Sequence, residues 1–294
     1  MRGIKSALRA HRLSVMYLPI LILFTAFVII PFFNGLHIAL TNWNGYSQHY
    51  QYVGFDNFKT LVADSKVHRA FFNTLFYGIG STVIQNIWGL LYALLLNQFF
   101  FGRNAVRSFV YLPVIMSGLV TGYIWYFILQ YNGGALNDIM LLLGMERVDW
   151  LANGTRSVGI ITFVTSMQFV GQAMIIYLAG LQVIPVSYYE AASIDGANAW
   201  QKFWYITLPL LVPAIITTVI LKLIGGLQLF DKVIALTGGG PGYSSHSFST
   251  LINFLYLVNQ NAGLASALGL VLFVLIFAVV AMAYKVLIRK EVEQ

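Results

Sequence analysis

The sequence predicts an all-α integral membrane protein with six transmembrane helices, and three observations carry that reading. Of its 294 residues, 59% are hydrophobic and only 9% are charged, whereas a soluble domain carries about a quarter charged residues. Apolar runs long enough to cross roughly 30 Å of hydrocarbon recur along the chain, so residues 1–294 read as one transmembrane domain with no soluble domain left over. Basic residues also sort by loop as they do in multi-pass proteins. Cysteine is absent, which excludes disulfides, thiolate metal sites and cysteine nucleophiles.

The spans are expected at about residues 15–33, 71–96, 108–129, 158–184, 206–229 and 263–284. The first follows Arg2, Lys5, Arg9 and Arg12 and resembles a secretory signal. Its long apolar run and the lack of an A-x-A site favour a retained helix. With the N-terminus inside, the cytoplasmic segments hold ten basic residues: those four and Arg103, Arg107, Lys202, Lys285, Arg289 and Lys290. The outer segments hold six, Lys59, Lys66, Arg69, Arg147, Arg156 and Lys232, interspersed with acids. This asymmetry places both termini in the cytoplasm and accounts for the net charge of +7 without nucleic acid. Trp43, Tyr46, Tyr50 and Tyr52 follow the first span, where aromatic rings favour the headgroup region of membrane lipid.

Residues 183–209 read as two short helices facing the cytosol. Pro185 and Ser187 open the first, and Ser187 with Glu190 matches a capping box. Gly196 suits the left-handed C′ position, and Asn198 suits the cap of a second helix running to Leu208 and Pro209. Ala191 and Ala192 keep one surface short enough for another backbone to approach, and Tyr188, Tyr189, Trp200, Phe203 and Trp204 add aromatic area. From periodicity alone, an interfacial hairpin joining two spans fits equally well.

The spacing E-A-A-x3-G-x9-I-x-L-P, formed by Glu190, Ala191, Ala192, Gly196, Ile206, Leu208 and Pro209, resembles the signature loop of binding-protein-dependent ABC permeases. F-D-K-V-I-A-L-T-G-G-G-P-G at residues 230–242 and Y-V-G-F-D-N-F at residues 52–58 are similar to stretches of the carbohydrate-uptake permeases of that group. The resemblance implies an ABC importer permease fold in which residues 188–198 form a coupling helix seated in a cleft of a cytoplasmic ATPase. Tyr189, Glu190, Ala191, Ala192, Asp195, Gly196, Leu208 and Pro209 make up that coupling loop, with Glu190 in polar contact at the ATPase groove and Gly196 setting the turn. Gly239, Gly240 and Pro241 then belong to an outer loop that faces the receptor or shapes the outer mouth. By the residues alone, this glycine cluster is a turn of high backbone freedom.

The implied partners are a second homologous permease, two ATPase subunits and an extracytoplasmic sugar-binding protein, in a bacterial or archaeal inner membrane. The implied work is ATP-driven uptake of a sugar or oligosaccharide; uptake of another small solute, or an ATPase-independent carrier or channel, are the alternatives. The sequence has no G-x-x-x-x-G-K-[ST] phosphate loop. ATP and magnesium therefore belong to a partner, and this chain is expected to be no enzyme and to bind no cofactor or metal. His11, His37, His49, His68 and His246 lack metal-ligand spacing and read as surface histidines.

Polar groups inside a span are costly and tend to face a cavity or another helix. Gln168 and Gln172, four residues apart on span four, are expected on one face; with Lys222, Gln228 and Asp231 of span five they are candidates for a substrate path. For Lys222, bonding to carbonyls or a partner permease is the competing reading, and for the two glutamines it is interhelical bonding. Asn73, Gln85 and Asn86 are assigned to helix packing. Neutral hydrogen-bonding groups of this kind suit a sugar.

Overall fold

The computed structural model describes residues 17–292, with side chains described through residue 288. Arg2, Lys5, Arg9, His11, Arg12 and the start of the first span lie outside the described residues, as do the side chains of Arg289 and Lys290. The described regular structure is helical, apart from one isolated bridge between Thr41 and Tyr52. Among the described residues, four helices are long and apolar enough to cross a membrane unbroken: α1 (Tyr17–Ala39), α3 (Ser65–Asn97), α7 (Gly154–Val183) and α13 (Ala262–Val292). Two bent pairs complete the six: α4 (Arg103–Ile115) with α5 (Gly118–Leu129), and α9 (Ala199–Leu210) with α10 (Val212–Leu227). Between them lie α2 (Asp56–Ala63), α6 (Ala135–Leu142), α8 (Val186–Ile194), α11 (Asp231–Thr237) and α12 (Phe248–Leu257).

The bends correct the expectation of continuous helices at residues 108–129 and 206–229. Pro113 sits in the last turn of α4, and Met116 and Ser117 are extended, turning the chain by 99° before α5. The second bend, 65° at Leu211, is flanked by Pro209 and Pro213. Each proline lacks the N–H that the helical ladder needs and crowds the preceding turn, and the helix yields there. A five-residue π-helical turn at Phe203–Thr207 precedes this bend.

The chain divides into two contact units. Of the described residues, one comprises 17–63 and 252–271. Within it, the Asn57 amide donates to the carbonyls of Ala39 and Thr41, both at 2.8 Å, and the Gly263 N–H donates to Trp43 O at 2.8 Å. These bonds fasten the end of α1 and the start of α13 to the intervening loop. The most apolar stretch of α1 has no buried residues, an all-round apolar surface suited to hydrocarbon.

The other unit comprises residues 64–251 and 272–294. Its core forms where α3, α7 and α10 pack together. Lipid tails are as apolar as leucine, so small residues and local hydroxyl bonds decide such packing. A Cβ on Gly226 of α10 would lie 2.8 Å from Gly78 Cα of α3, so this crossing requires glycine. Thr74, Thr82, Thr162, Thr165, Ser166 and Thr218 are buried, and each hydroxyl donates to the carbonyl four residues earlier. The helices therefore meet across satisfied groups. Asn86 accepts from the Tyr177 hydroxyl at 2.5 Å, and the Asn73 amide donates to Ser244 O and His246 O, so both asparagines serve packing. One cluster joins Ala93 and Leu96 to Met174, Tyr177, Leu181 and Leu211. A second joins Tyr77 and Leu129 to Ile161, Val164, Val233 and Leu236, where α11 packs against α5.

Candidate functional site

Three regions of the larger unit hold the candidate residues. The first is the helix pair α8 and α9. α8 begins two residues earlier than the capping box requires: Pro185 is the N-cap and Val186 the first helical residue. Ser187 thus falls inside the first turn, no side chain caps that end, and the Ser187–Glu190 box does not form. The other end matches the expectation. Gly196 has φ +80°, its N–H donates to Ser193 O, and the Ala197 N–H donates to Ala192 O at 2.8 Å, which closes α8 with a Schellman turn. Asn198 then caps α9, and Gln201 completes a reciprocal capping box that the sequence reading missed.

Two side-chain bonds brace the pair. Lys202 Nζ donates to Ser193 Oγ at 2.6 Å, and the hydroxyls of Tyr189 and Thr207 lie 2.9 Å apart. Glu190, Ala191, Asp195 and Gly196 are exposed, Tyr189, Ala192, Leu208 and Pro209 are half-buried, and the Glu190 carboxylate makes no hydrogen bond among the described residues. Trp200 and Trp204 make an edge contact at 5.6 Å, with Trp200 69% exposed. This is a stiff hairpin with an acidic, aromatic outer surface and no intramolecular cover.

The second region is a cavity of about 230 Å³ among α3, α7, α10 and α11. Lys222 is buried, and its ammonium donates to Gln172 Oε1 at 2.7 Å and Phe169 O at 3.1 Å. It lines the cavity while holding a carbonyl, joining the two readings its sequence position left open. Gln172, Gln228 and Asp231 line the same space. Gln168 does not: it is buried, and its amide donates to Met116 O at 2.9 Å and Pro113 O at 3.3 Å. Both carbonyls lie at the break between α4 and α5, where Pro113 O also accepts from the Met116 N–H at 3.2 Å, so Gln168 stabilises that bend.

The structure adds Lys232, Phe169 and Gln85 to this cavity. Lys232, read as an outer-loop residue, is 2% exposed because α11 folds back onto α5, and its ammonium stands 4.5 Å from the Phe169 ring centre. Gln85, assigned to packing, lines the cavity with its buried Oε1 unpartnered. Asp231 lies against Gly118, where a Cβ would strike its carboxylate. That is the amino end of α5, whose dipole favours a negative charge.

The third region is the loop after α11. Gly238, Gly239, Gly242 and Tyr243 all have positive φ, and Gly240–Pro241 is cis. The expected backbone freedom is not found. The Gly240 N–H donates to Thr237 O at 2.9 Å, the Ser245 N–H to Gly239 O at 3.1 Å, and the Ser245 hydroxyl to Gly240 O at 2.5 Å. The Tyr77 hydroxyl donates to Ser245 O and the Ser247 hydroxyl to Leu229 O. His246, expected at the surface, is 4% exposed; its Nδ1 lies 3.0 Å from Thr250 Oγ1, and its ring occupies the place a Gly239 side chain would take. Burial pushes the imidazole below its ordinary pKa of 6.5. Pro241 and Gly240 reach a second, shallower cavity with Tyr126, Gln130 and Asp149.

Comparison with known proteins bears on all three regions. Residues 85–293 match the family model described as "Binding-protein-dependent transport system inner membrane component". The chain is 35% identical over 275 residues to the multiple sugar-binding transport system permease protein MsmF of Streptococcus mutans, covering 92% of this chain and 93% of that one. It is 32% identical to the trehalose/maltose transport system permease protein MalF of Thermococcus litoralis, covering 92% of each. It superposes with a TM-score of 0.84 and 29% identity on the crystal structure of a bacterial ABC transporter involved in import of the acidic polysaccharide alginate, covering 98% of this chain and 99% of that one. A second structure of a bacterial alginate ABC transporter, in complex with a periplasmic protein carrying an alginate pentasaccharide, superposes with a TM-score of 0.83 and 29% identity, covering 95% and 94%.

Proposed function

Since the chain belongs to the family of binding-protein-dependent transport system inner membrane components, we propose that it is the membrane-spanning subunit of an ATP-driven importer that carries a sugar or oligosaccharide into the cytoplasm. The observation that carries this is the full-length likeness to the multiple sugar-binding permease. The α8–α9 hairpin fits a coupling element on physical grounds: it is internally braced, capped at the Gly196 turn and uncovered on its outer surface. In this reading Glu190, Ala191, Ala192 and Asp195 meet the ATPase groove, and Tyr189, Leu208 and Pro209 connect α8 to the span above. Both termini and the hairpin are cytoplasmic, in keeping with the basic residues of the inner segments.

The working assembly comprises this chain, a second homologous permease, two cytoplasmic ATPase subunits and an extracytoplasmic sugar-binding protein. ATP and magnesium are used by the ATPase pair, and this chain binds no cofactor. Closure of that pair moves the hairpin and opens the cavity outward, the receptor releases sugar into it beside Gln172, Lys222, Gln228 and Asp231, and hydrolysis restores the inward-open state.

The test is co-purification. The tagged chain is extracted in mild detergent from the membranes of cells producing its own transport system, and accompanying chains are identified by mass spectrometry, beside a Glu190→Arg variant. An ATPase accompanying the native chain and depleted from the variant is the expected result. A native chain that never carries an ATPase overturns the importer reading.

A further inference from the structure

We infer that the importer's saccharide bears a carboxylate or another anionic group, held at Lys232 and Lys222 of the cavity. This rests on the sugar-import reading and adds the chemical class of the cargo. Two lysines reach one cavity, and only one carboxylate, Asp231, lines it with them. That carboxylate lies at the amino end of α5, and neither lysine is ion-paired to it.

The two lysines are also unequal. Lys222 is partly satisfied by Gln172 Oε1 and Phe169 O. Lys232, 2% exposed, has the Phe169 ring face beside it, the Asp231 carboxylate nearby without an ion-pair contact, and no hydrogen-bond acceptor among the described residues. Two ammoniums face one carboxylate here, and Asp231 acts on Lys232 only through space, so the cavity keeps an excess positive charge that is disfavoured unless something from outside completes the site. Intramembrane cations characteristically mark a substrate path.

The remaining lining suits a saccharide. Phe169 and Phe230 supply aromatic surface, and Gln228 and the unpartnered Oε1 of Gln85 supply groups for sugar hydroxyls. A neutral sugar would satisfy these while leaving the excess positive charge of the lysine pair uncompensated. A uronate satisfies both.

The experiment uses cells producing the complete transport system, fed a radiolabelled mixture of uronate trisaccharides or the same mixture after carboxyl reduction, which preserves linkage and removes charge. The native system should take up the acidic mixture at least tenfold faster than the reduced one. Lys232→Gln should lower acidic uptake at least tenfold with the complex still assembling, and Lys232→Arg should restore most of it. Uptake of the reduced mixture alone overturns this inference and leaves sugar import standing, whereas no ATP-dependent uptake of either overturns both. If Lys232→Gln weakens assembly and slows both mixtures equally, the counter-ion comes from the partner permease and the inference fails. Full acidic uptake by Lys232→Gln overturns it as well.

Discussion

The α8–α9 hairpin and the loop after α11 are both short connections rich in turn residues, and they are built in opposite ways. In the hairpin, most side chains from Val186 to Gln201 are exposed and the tertiary braces are Lys202–Ser193 and Tyr189–Thr207. In the outer loop, Ser245, Ser247 and Thr250 have no exposed surface, and α3 supplies Asn73, Thr74 and Tyr77 to hold its backbone. One connection has internal stiffness and an open outer surface; the other has its polar groups answered within the chain except the Ser244 hydroxyl. Substitutions in the first should therefore change what the protein does, and substitutions in the second whether it folds.

The sharpest way to break that comparison is Gly239→Val. Its side chain needs the space of the His246 ring at a backbone φ of +91°, and overpacking with left-handed strain together cost roughly 3–5 kcal/mol. The yield of monodisperse protein in detergent should collapse. Glu190→Arg makes the opposite case: uptake in intact cells should fall more than tenfold while the thermal unfolding midpoint stays within a degree or two of native. Asn73→Ala removes two bonds to buried loop carbonyls and should cost about 2 kcal/mol, read as a lowered midpoint with uptake per folded molecule retained. Gly196→Ala meets no atom within 4 Å, so only its positive φ matters, at about 1 kcal/mol. Faster hydrogen exchange confined to the hairpin is the expected signature.

The smallest effect is one of pH. His246 has a folded-state pKa below its unfolded value, so its contribution is complete above roughly 6.5 and is lost as pH falls from there toward the folded pKa. On going from pH 8 to pH 5, amides of residues 237–247 should lose more protection, relative to their intrinsic exchange rates, in the native protein than in His246→Gln, with the hairpin showing no such difference.

Much of this contrast was legible in the sequence where the cause is local. Gly196 as a left-handed C′ residue and Asn198 as a cap need only the chain beside them. The capping box at Ser187 was misplaced because Pro185 itself starts the helix. Features set by tertiary contact were out of reach. Hydropathy reads residues 206–229 as one apolar run, so the elbow at Leu211 was hidden even though Pro209 and Pro213 were in plain view. Gln168 reads as a path residue because Gln172 shares its helix face; its actual neighbours are two carbonyls at a break in another helix. Lys232 was assigned to the outer loop because nothing local tells that α11 returns to α5, although a lysine inside F-D-K-V-I-A-L-T was a visible oddity.

The elbow at Leu211 also has a mechanical meaning. Two prolines make it the softest point of an otherwise stiff rod, with the aromatic hairpin arm on one side and α10 on the other. Lys222 sits ten residues beyond Val212, a lever of about 15 Å at helical rise. If α10 swings by about 10° on this pivot, the lysine travels about 2.6 Å, close to the length of the bond it makes with Gln172. A small displacement delivered at the membrane surface is thereby enough to exchange one hydrogen-bond partner for another deep in the cavity.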